Sequence, residues 1–207
     1  MRTARIAALL AATAVLLSAC ATTGGSSPGT PSAGMPLGAV APAPPEGDVI
    51  GLGTVMDVAG EVELCLGPIA ESYPPQCSGI PVAGWSWDGV EGSDASGDVR
   101  WGAYAVQGVY DGTSFTVTQQ PILLALYDPM VPDDPFGGGP GTADEATLLA
   151  IQEELPERLG TDYFSSWPQD GRLRVEVLWD DGTWQRAADA EFGTGVVVIE
   201  PALRPAG

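Results

Sequence analysis

The stretch that decides the fold is EVELCLGPIAESYPPQCSG, residues 61–79. It contains two of the three cysteines, Cys65 and Cys77, with a glycine and three prolines between them. This composition predicts a turn-rich loop rather than a helix or a strand. We expect a disulfide to close the loop, which would stabilise the fold by about 3 kcal/mol. The alternative is two unpaired thiols, one or both buried as small apolar groups.

Residues 1–19 have the features of a signal peptide. Two arginines precede an apolar run at residues 6–17, and small residues follow it. The run is shorter than the roughly 20 apolar residues that a membrane-spanning helix needs. The sequence LSAC at residues 17–20 resembles the lipobox of bacterial lipoproteins. This resemblance implies cleavage before Cys20 and a diacylglyceryl group on its thiol; the alternative is ordinary secretion, in which Cys20 is discarded.

A lipid on Cys20 would explain the odd number of cysteines, which is unusual for an exported protein. Cys65 and Cys77 would then remain as one pair in an oxidising compartment. The two chains of a diacylglyceryl group supply the two lipid signals that stable anchoring requires. We therefore expect an exported protein that is held at the outer face of the cell membrane by its lipid and does not span the bilayer.

The chain is strongly acidic, with 27 Asp and Glu residues against 8 arginines, and it contains neither lysine nor histidine. Such a surface repels nucleic acid and anionic lipid head groups. We therefore expect no nucleic-acid partner, and a membrane contact that depends on the lipid alone. Solubility is the usual role of this much negative charge, and the collection of cations is the alternative.

Composition divides the mature chain into a linker and two folded parts. After the lipidated cysteine, residues 20–47 are mostly Gly, Ser, Thr, Pro and Ala, which bury too little apolar surface to offset their ordering entropy. This segment is predicted to be a disordered linker. A β domain is predicted over residues 48–127, a connector rich in proline and glycine over 128–141, and an α+β unit over 142–207.

Two patterns predict strands in the β domain. Asp-Gly at residues 111–112, between strand-type residues, predicts a hairpin with a two-residue turn. This turn would place Tyr110 opposite Thr113, with Tyr110 facing the core. Trp85 and Trp87 alternate along a predicted strand, so their indoles share one face. Burial against the core is the default interpretation of this pair, and a stacking platform for a sugar or a peptide is the alternative.

Four segments of the β domain form a wider pattern: ELCLG (63–67), ESYPPQCSG (71–79), GWSW (84–87) and YDGTSFTV (110–117). Together with the lipobox they resemble uncharacterised lipoproteins of actinobacteria, over about residues 53–118. The resemblance implies a location at the cell envelope rather than an activity. The short strands and loops themselves favour a small barrel of the oligonucleotide/oligosaccharide-binding type.

The α+β unit is predicted to begin with a helix. Thr142 and Glu145 form a capping box, and Leu148, Ile151 and Leu155 form an apolar stripe at helical spacing. This stripe is expected to pack against the strands that follow it.

Alternation in RLRVEVLW, residues 172–179, predicts a strand after this helix. Asp-Gly at residues 181–182 then predicts a turn that brings Trp184 opposite Trp179. A final buried strand is predicted over residues 195–200. The unit would be one helix on a three-stranded antiparallel sheet, and the whole fold is mainly β, of the α+β class.

The residue inventory excludes several kinds of catalysis. Without histidine there is no Ser-His or Cys-His pair and no His-ligated zinc. Without lysine there is no Schiff base. Carboxylates remain, and glycoside hydrolysis needs two of them; the five considered are Asp88, Glu91, Asp111, Asp180 and Asp181. Several occupy turns, where Asp is usually structural, so we predict no catalytic residue, metal site or cofactor.

The sequence as a whole predicts a non-enzymatic lipoprotein with a binding, assembly or structural role and an envelope protein or glycan as its partner. One alternative is a carbohydrate-binding or carbohydrate-active module that uses Trp85, Trp87 and nearby carboxylates. Another is a calcium-stabilised module, because the adjacent aspartates at 133–134 or 180–181 could provide oxygen ligands.

Overall fold

The computed structural model describes residues 34–129 and 139–206. The predicted signal peptide, Cys20 and the aspartates at 133–134 lie outside these residues. The described residues belong to one compact unit. Their strands and helices are β1 (Val49–Val58), β2 (Glu61–Cys65), β3 (Ile80–Ala83), β4 (Asp94–Ser96), β5 (Val99–Tyr110), β6 (Phe115–Val117), β7 (Ile122–Leu123), α1 (Glu145–Leu159), β8 (Tyr163–Gln169), β9 (Arg172–Val177), α2 (Thr183–Phe192), β10 (Val197–Pro201) and β11 (Leu203–Pro205).

Five strands close into a barrel, which confirms the predicted fold class. β1 pairs with β2 and β5, β3 pairs with β2 and β6, and β6 pairs with β5 to complete the ring. The pairing of β3 with β6 is parallel and the others are antiparallel. β4 and β7 pair with β5 outside the ring, and the last strand, β11, pairs with β1.

Alternating side chains of the long strands fill the barrel. Val49 and Val55 of β1 and Tyr104 and Val106 of β5 are buried in its core, as the two-residue period of a half-buried strand requires. At Gly53 a Cβ atom would overlap the backbone carbonyl of β2's last residue. The missing side chain therefore allows β1 and β2 to lie close enough to pair.

The disulfide between Cys65 and Cys77 is present, with the two Cα atoms 6.2 Å apart. It joins the end of β2 to the chain just before β3 begins. Because these two strands are neighbours in the barrel, the disulfide closes the loop that connects them, as the sequence predicted.

The hairpin of β5 and β6 is also present, but its loop has four residues rather than the predicted two. Tyr110 pairs with Phe115, not with Thr113. The carboxylate of Asp111 accepts hydrogen bonds from the backbone N–H groups of Thr113 and Ser114, both at 2.8 Å, and these bonds organise the longer loop. Because the register shifts by two residues, each side chain keeps its face, and Tyr110 is buried as expected.

The second sheet has the order β10-β9-β8, and the prediction that it is entirely antiparallel is wrong. β8 and β9 are antiparallel, but β9 and β10 are parallel because α2 connects them. The expected return strand is replaced by α2. The Asp180 carboxylate holds the start of this helix, since it accepts from the backbone N–H groups of Trp184 and Gln185 at 2.9 and 3.2 Å. Trp184 is therefore helical and forms no cross-strand pair with Trp179.

Helix α1 packs against β8 and β9 and buries the predicted stripe of Leu148, Ile151 and Leu155. Its N-cap is Asp144 rather than Thr142, because the Asp144 carboxylate accepts from the backbone N–H of Thr147 at 3.0 Å. Among the described residues, no helix is both long enough and apolar enough to cross a bilayer.

Residues 36–44 form an ordered segment that we call the proline strap. The sequence composition predicted disorder here, and the structure differs for a tertiary reason. Leu37 is only 2% exposed and packs into the core beside the second sheet. Its backbone N–H donates to Glu191 at 2.8 Å, and the indole N–H groups of Trp179 and Trp184 each donate to a strap carbonyl at 2.8 Å. These partners lie far away in the sequence, so local composition carries no sign of them.

Candidate ligand-binding groove

A groove with a volume of about 600 Å³ lies between the barrel and the second sheet. We call it the barrel groove. Most of its wall is apolar, and the larger side chains that form it are Leu64, Leu66, Ile80, Tyr110, Tyr163, Phe164 and Leu178. Its volume falls within the range of small-molecule sites, which are typically apolar with a few polar groups that orient the ligand.

The disulfide loop fixes one rim of the barrel groove. Ser78 and Gly79 line this rim and directly follow Cys77, which is bonded to the end of β2. The backbone N–H of Gly79 also donates to the carboxylate of Glu63 on β2 at 3.1 Å. The rim is thus tied to β2 by one covalent bond and one hydrogen bond, which favours a preformed site.

The loop between β5 and β6 forms another part of the rim, through Gly112 and Thr113. Hydrogen bonds from Ser114 and Thr113 to the Asp111 carboxylate lower the pKa of that carboxyl well below its usual range. Asp111 therefore stays ionised and holds the loop. Since its oxygens already accept these bonds, its role is to position the rim.

Asp162 lines the barrel groove, just before β8 begins. Its backbone carbonyl accepts from Leu178 at 2.8 Å, which fixes the residue against the end of β9. Burial raises the pKa of the Asp162 carboxyl. Among the described residues, its side chain has no hydrogen-bonding or ion-pair partner. It is therefore an unused acceptor in a mainly apolar wall.

Tyr110 lies beside Asp162 and shares its electrostatic environment. Burial raises the pKa of the Tyr110 phenol, and the negative charges of Asp162 and Asp111 raise it further. The phenol therefore stays protonated at neutral pH and is available as a hydrogen-bond donor. Asp162 and Tyr110 thus add a carboxylate and a protonated phenol to the groove lining, which also includes Ser78, Thr113 and Thr161.

A smaller cavity of about 160 Å³ lies behind these two residues. We call it the rear cavity. Tyr110, Gly112 and Asp162 line both cavities, and the proline strap covers the rear one together with Trp179 and Trp184. The strap is held there because its backbone is hydrogen-bonded to both indoles. Asp162 therefore stands at the junction of two spaces.

Trp85 and Trp87 lie away from the barrel groove. Their rings pack edge to face with centroids 5.1 Å apart, and both contact Tyr104 in the barrel core. The guanidinium of Arg100 lies 4.4 Å from the centre of the Trp87 ring. Much of the aromatic surface that a sugar would stack on is thus already in contact with other side chains. A carbohydrate platform at these residues stays a prediction.

The indole nitrogens of this pair differ in their surroundings. Trp87 donates its N–H to Asp57 at 2.8 Å. The N–H of Trp85 is buried and has no hydrogen-bond partner among the described residues. Neither residue lines one of the cavities described above.

The carboxylates considered for hydrolysis are not brought together around the barrel groove. Asp88 and Glu91 are exposed, and Asp180 and Asp181 hold the start of α2. Within residues 34–129 and 139–206, no group of three or more Cys, Asp or Glu side chains is placed to hold a metal ion.

The residues that matter most in the groove were not singled out by the sequence. Asp162 lies two residues after Gly160 in the connection between α1 and β8, where a polar residue is ordinary. Phe164 carried no distinguishing pattern, and Tyr110 was identified only as a core residue. Their common site arises from contact between the barrel and the second sheet, and no local signal marks such a contact.

Neither a protein-family model, a curated protein nor a solved structure matches this chain. Function must therefore be inferred from the residues and their geometry.

Proposed function

We propose that this chain is an exported, lipid-anchored protein that binds a small apolar ligand in the barrel groove, without catalysing a reaction. The observation that carries the proposal is the groove itself, which combines a volume of about 600 Å³ with apolar walls and few polar groups. Binding would take place at the outer face of the cell membrane, to which the lipid on Cys20 would hold the protein.

The disulfide supports the exported location. Structural disulfides persist in oxidising compartments and are rare where thiols are kept reduced. Here the bond closes a loop at the groove rim, so an oxidising environment would also preserve the site. The signal-peptide features and the lipobox of the first 20 residues agree with this location.

Binding is favoured over hydrolysis by the number of free carboxylates. Glycoside hydrolysis generally needs two carboxyl groups on opposite sides of the scissile bond. In the part of the chain that the structure describes, Asp162 is the one acidic residue that lines the barrel groove. The nearby Asp111 is held by hydrogen bonds within its own loop. A single free carboxylate can orient a ligand.

A neutral apolar dye tests this proposal. N-phenyl-1-naphthylamine fluoresces more strongly in an apolar site, and we expect saturable binding of one dye per chain. The full chain carrying Cys20→Ser is used, so that the dye cannot partition into the protein's own lipid. Thr161→Trp should abolish binding, because Thr161 lines the groove and is exposed, so that a large ring there fills the space without disturbing the core.

Thr142→Trp is the matched control, since Thr142 is exposed and lies outside the groove lining. It should leave dye binding unchanged. Absence of saturable binding, or equal binding by the two tryptophan variants, would contradict the proposed function.

A further inference from the structure

The unpartnered carboxylate of Asp162 indicates which kind of ligand the barrel groove would accept. A half-buried carboxylate is normally satisfied by a cation or by hydrogen-bond donors, because removing charge from water is costly. Asp180 illustrates this rule, since it is partly buried and its carboxylate accepts hydrogen bonds from the backbone N–H groups of Trp184 and Gln185. Asp162 has no such donor among the described residues, and it is one of the residues that line the barrel groove.

The protein has few cations that could pair with Asp162. It contains no lysine and no histidine, so arginine is its only basic side chain. The ion pairs of the described residues join Arg158 to Glu154 and Glu191, and Arg174 to Glu200. No arginine of the described residues lines the barrel groove or the rear cavity. A cation at Asp162 would therefore come from the ligand.

The remaining walls define the rest of the ligand. Leu64, Leu66, Ile80, Phe164 and Leu178 present apolar surface along the same groove. A ligand that fills it gains from burying its own apolar surface. Its charged group would lie near Asp162, which lines both the groove and the rear cavity.

The net charge of the whole protein also favours a cationic ligand. Its formal net charge is −19, so its surface potential attracts cations and repels anions. An anionic amphiphile such as a fatty acid would meet repulsion both at a distance and at Asp162. A cationic amphiphile would be attracted at both.

We propose that the barrel groove selects small amphiphiles with an apolar body and a protonated amine, whose ammonium group pairs with the carboxylate of Asp162. This inference rests on the proposed function and assigns the ligand class for the same site. Asp162 is the specificity-determining residue, and the apolar walls supply general affinity.

Competition against N-phenyl-1-naphthylamine measures the preference directly. Decylamine, decanol and decanoate share an apolar chain but carry a positive, a neutral and a negative head group, and all are used below their aggregation concentrations. Ethanolamine provides the ammonium group without the apolar body. We expect decylamine to compete at least about tenfold better than decanol, as one charge-assisted hydrogen bond would give. Decanoate and ethanolamine should compete poorly.

Asp162→Asn should remove the preference, so that the affinity ratio of decylamine to decanol falls to about one. Asp162→Glu, which keeps the charge, should retain part of the ratio. Asp88→Asn removes one negative charge from an exposed position outside the groove and should leave the ratio unchanged. Melting curves of each variant check that it is folded.

The outcomes separate this inference from the proposed function. If the dye and all amphiphiles fail to bind, both are overturned. If decylamine and decanol bind equally, or if Asp162→Asn keeps the preference, the groove still binds apolar ligands but the amine assignment is wrong. If ethanolamine competes as well as decylamine, the apolar walls do not contribute and the assignment is equally wrong.

Discussion

At the scale of single residues, Asp162 lowers the stability of the free protein and has a role in the proposed site. Its backbone carbonyl accepts a hydrogen bond from Leu178, in the connection between α1 and β8. Its side chain is half-buried and has no partner among the described residues. Burial favours the neutral form and raises the pKa of the carboxyl. Groups kept in an unfavourable state are frequent in functional sites, and the cost here is expected to be offset when a ligand binds.

Asp162→Asn should therefore stabilise the free protein at neutral pH. Because the folded pKa of Asp162 is raised above its unfolded value, ionisation penalises folding, and this penalty is complete once the pH exceeds the folded pKa. The penalty disappears below the unfolded pKa, where the carboxyl is protonated in both states. We expect a Tm increase at about pH 7 that is lost at about pH 3, with each kcal/mol worth roughly 2–4 °C.

Thermal melts of wild type and variant at the two pH values measure this effect, with Asp88→Asn as the exposed control. A variant that is less stable than wild type at neutral pH would show that the Asp162 side chain has a stabilising partner. The same gain at both pH values would show that its charge is not the cause.

At the scale of elements, three of the four Asp-Gly dipeptides show which features the sequence could predict and which it could not. The pair at 170–171 forms a true two-residue turn between β8 and β9, with positive φ at both residues. The pair at 111–112 opens a four-residue loop, and the pair at 181–182 leads into α2. An Asp side chain that accepts backbone hydrogen bonds suits a turn and a helix N-terminus equally.

The local sequence pattern therefore predicted that a strand ends at 111–112 and at 181–182. It could not distinguish a two-residue turn from a longer loop or the start of a helix. Strand β9 and helix α1 were predictable because their apolar residues recur at the period of the element, and β10 because it is a short apolar run. The choice of α2 over a return strand depends on packing against β10. That packing is a tertiary contact, which local sequence pattern predicts poorly.

The proline strap yields a prediction at this scale. Leu37→Ala should destabilise the protein by about 2 kcal/mol or more, as expected for a large-to-small change at a buried leucine. Leu37 is 2% exposed, whereas Leu126 is 78% exposed and provides the matched control. Denaturant unfolding of both variants measures the difference.

If Leu37→Ala proves as neutral as Leu126→Ala, the strap does not contribute to the fold. The segment would then behave as the linker that its composition suggests. A loss confined to Leu37→Ala would instead establish residues 36–44 as part of the folded body.

At the scale of the whole molecule, the fold class was predictable and the site was not. Short strands, turn residues and the cysteine pair indicated a small disulfide-closed barrel. The barrel groove, by contrast, takes Leu64 and Tyr110 from the barrel and Asp162 and Phe164 from the region around the second sheet. These residues are adjacent only after both parts have formed and packed together.

Anchoring is also a property of the whole molecule. In cells supplied with an alkyne-labelled fatty acid, the protein should carry the label and sediment with membranes. Cys20→Ser should lose both properties, because two acyl chains provide the stable attachment and the acidic body is repelled by anionic head groups. Cys65→Ser with Cys77→Ser is the control, since it removes thiols without touching the lipid site and should keep the label.

A Cys20→Ser protein that still sediments with membranes to the same extent would contradict lipid anchoring. Label retained on Cys20→Ser would place the lipid on another residue.

Mapping of N-phenyl-1-naphthylamine onto the protein by NMR tests the central claim most directly, with backbone amide and indole N–H signals followed during titration of the Cys20→Ser chain. The groove assignment predicts that the largest shifts occur at Leu64, Ile80, Asp162 and Phe164, while the indole signals of Trp85 and Trp87 stay in place. Shifts concentrated at those two indoles, with the groove amides unchanged, would contradict it.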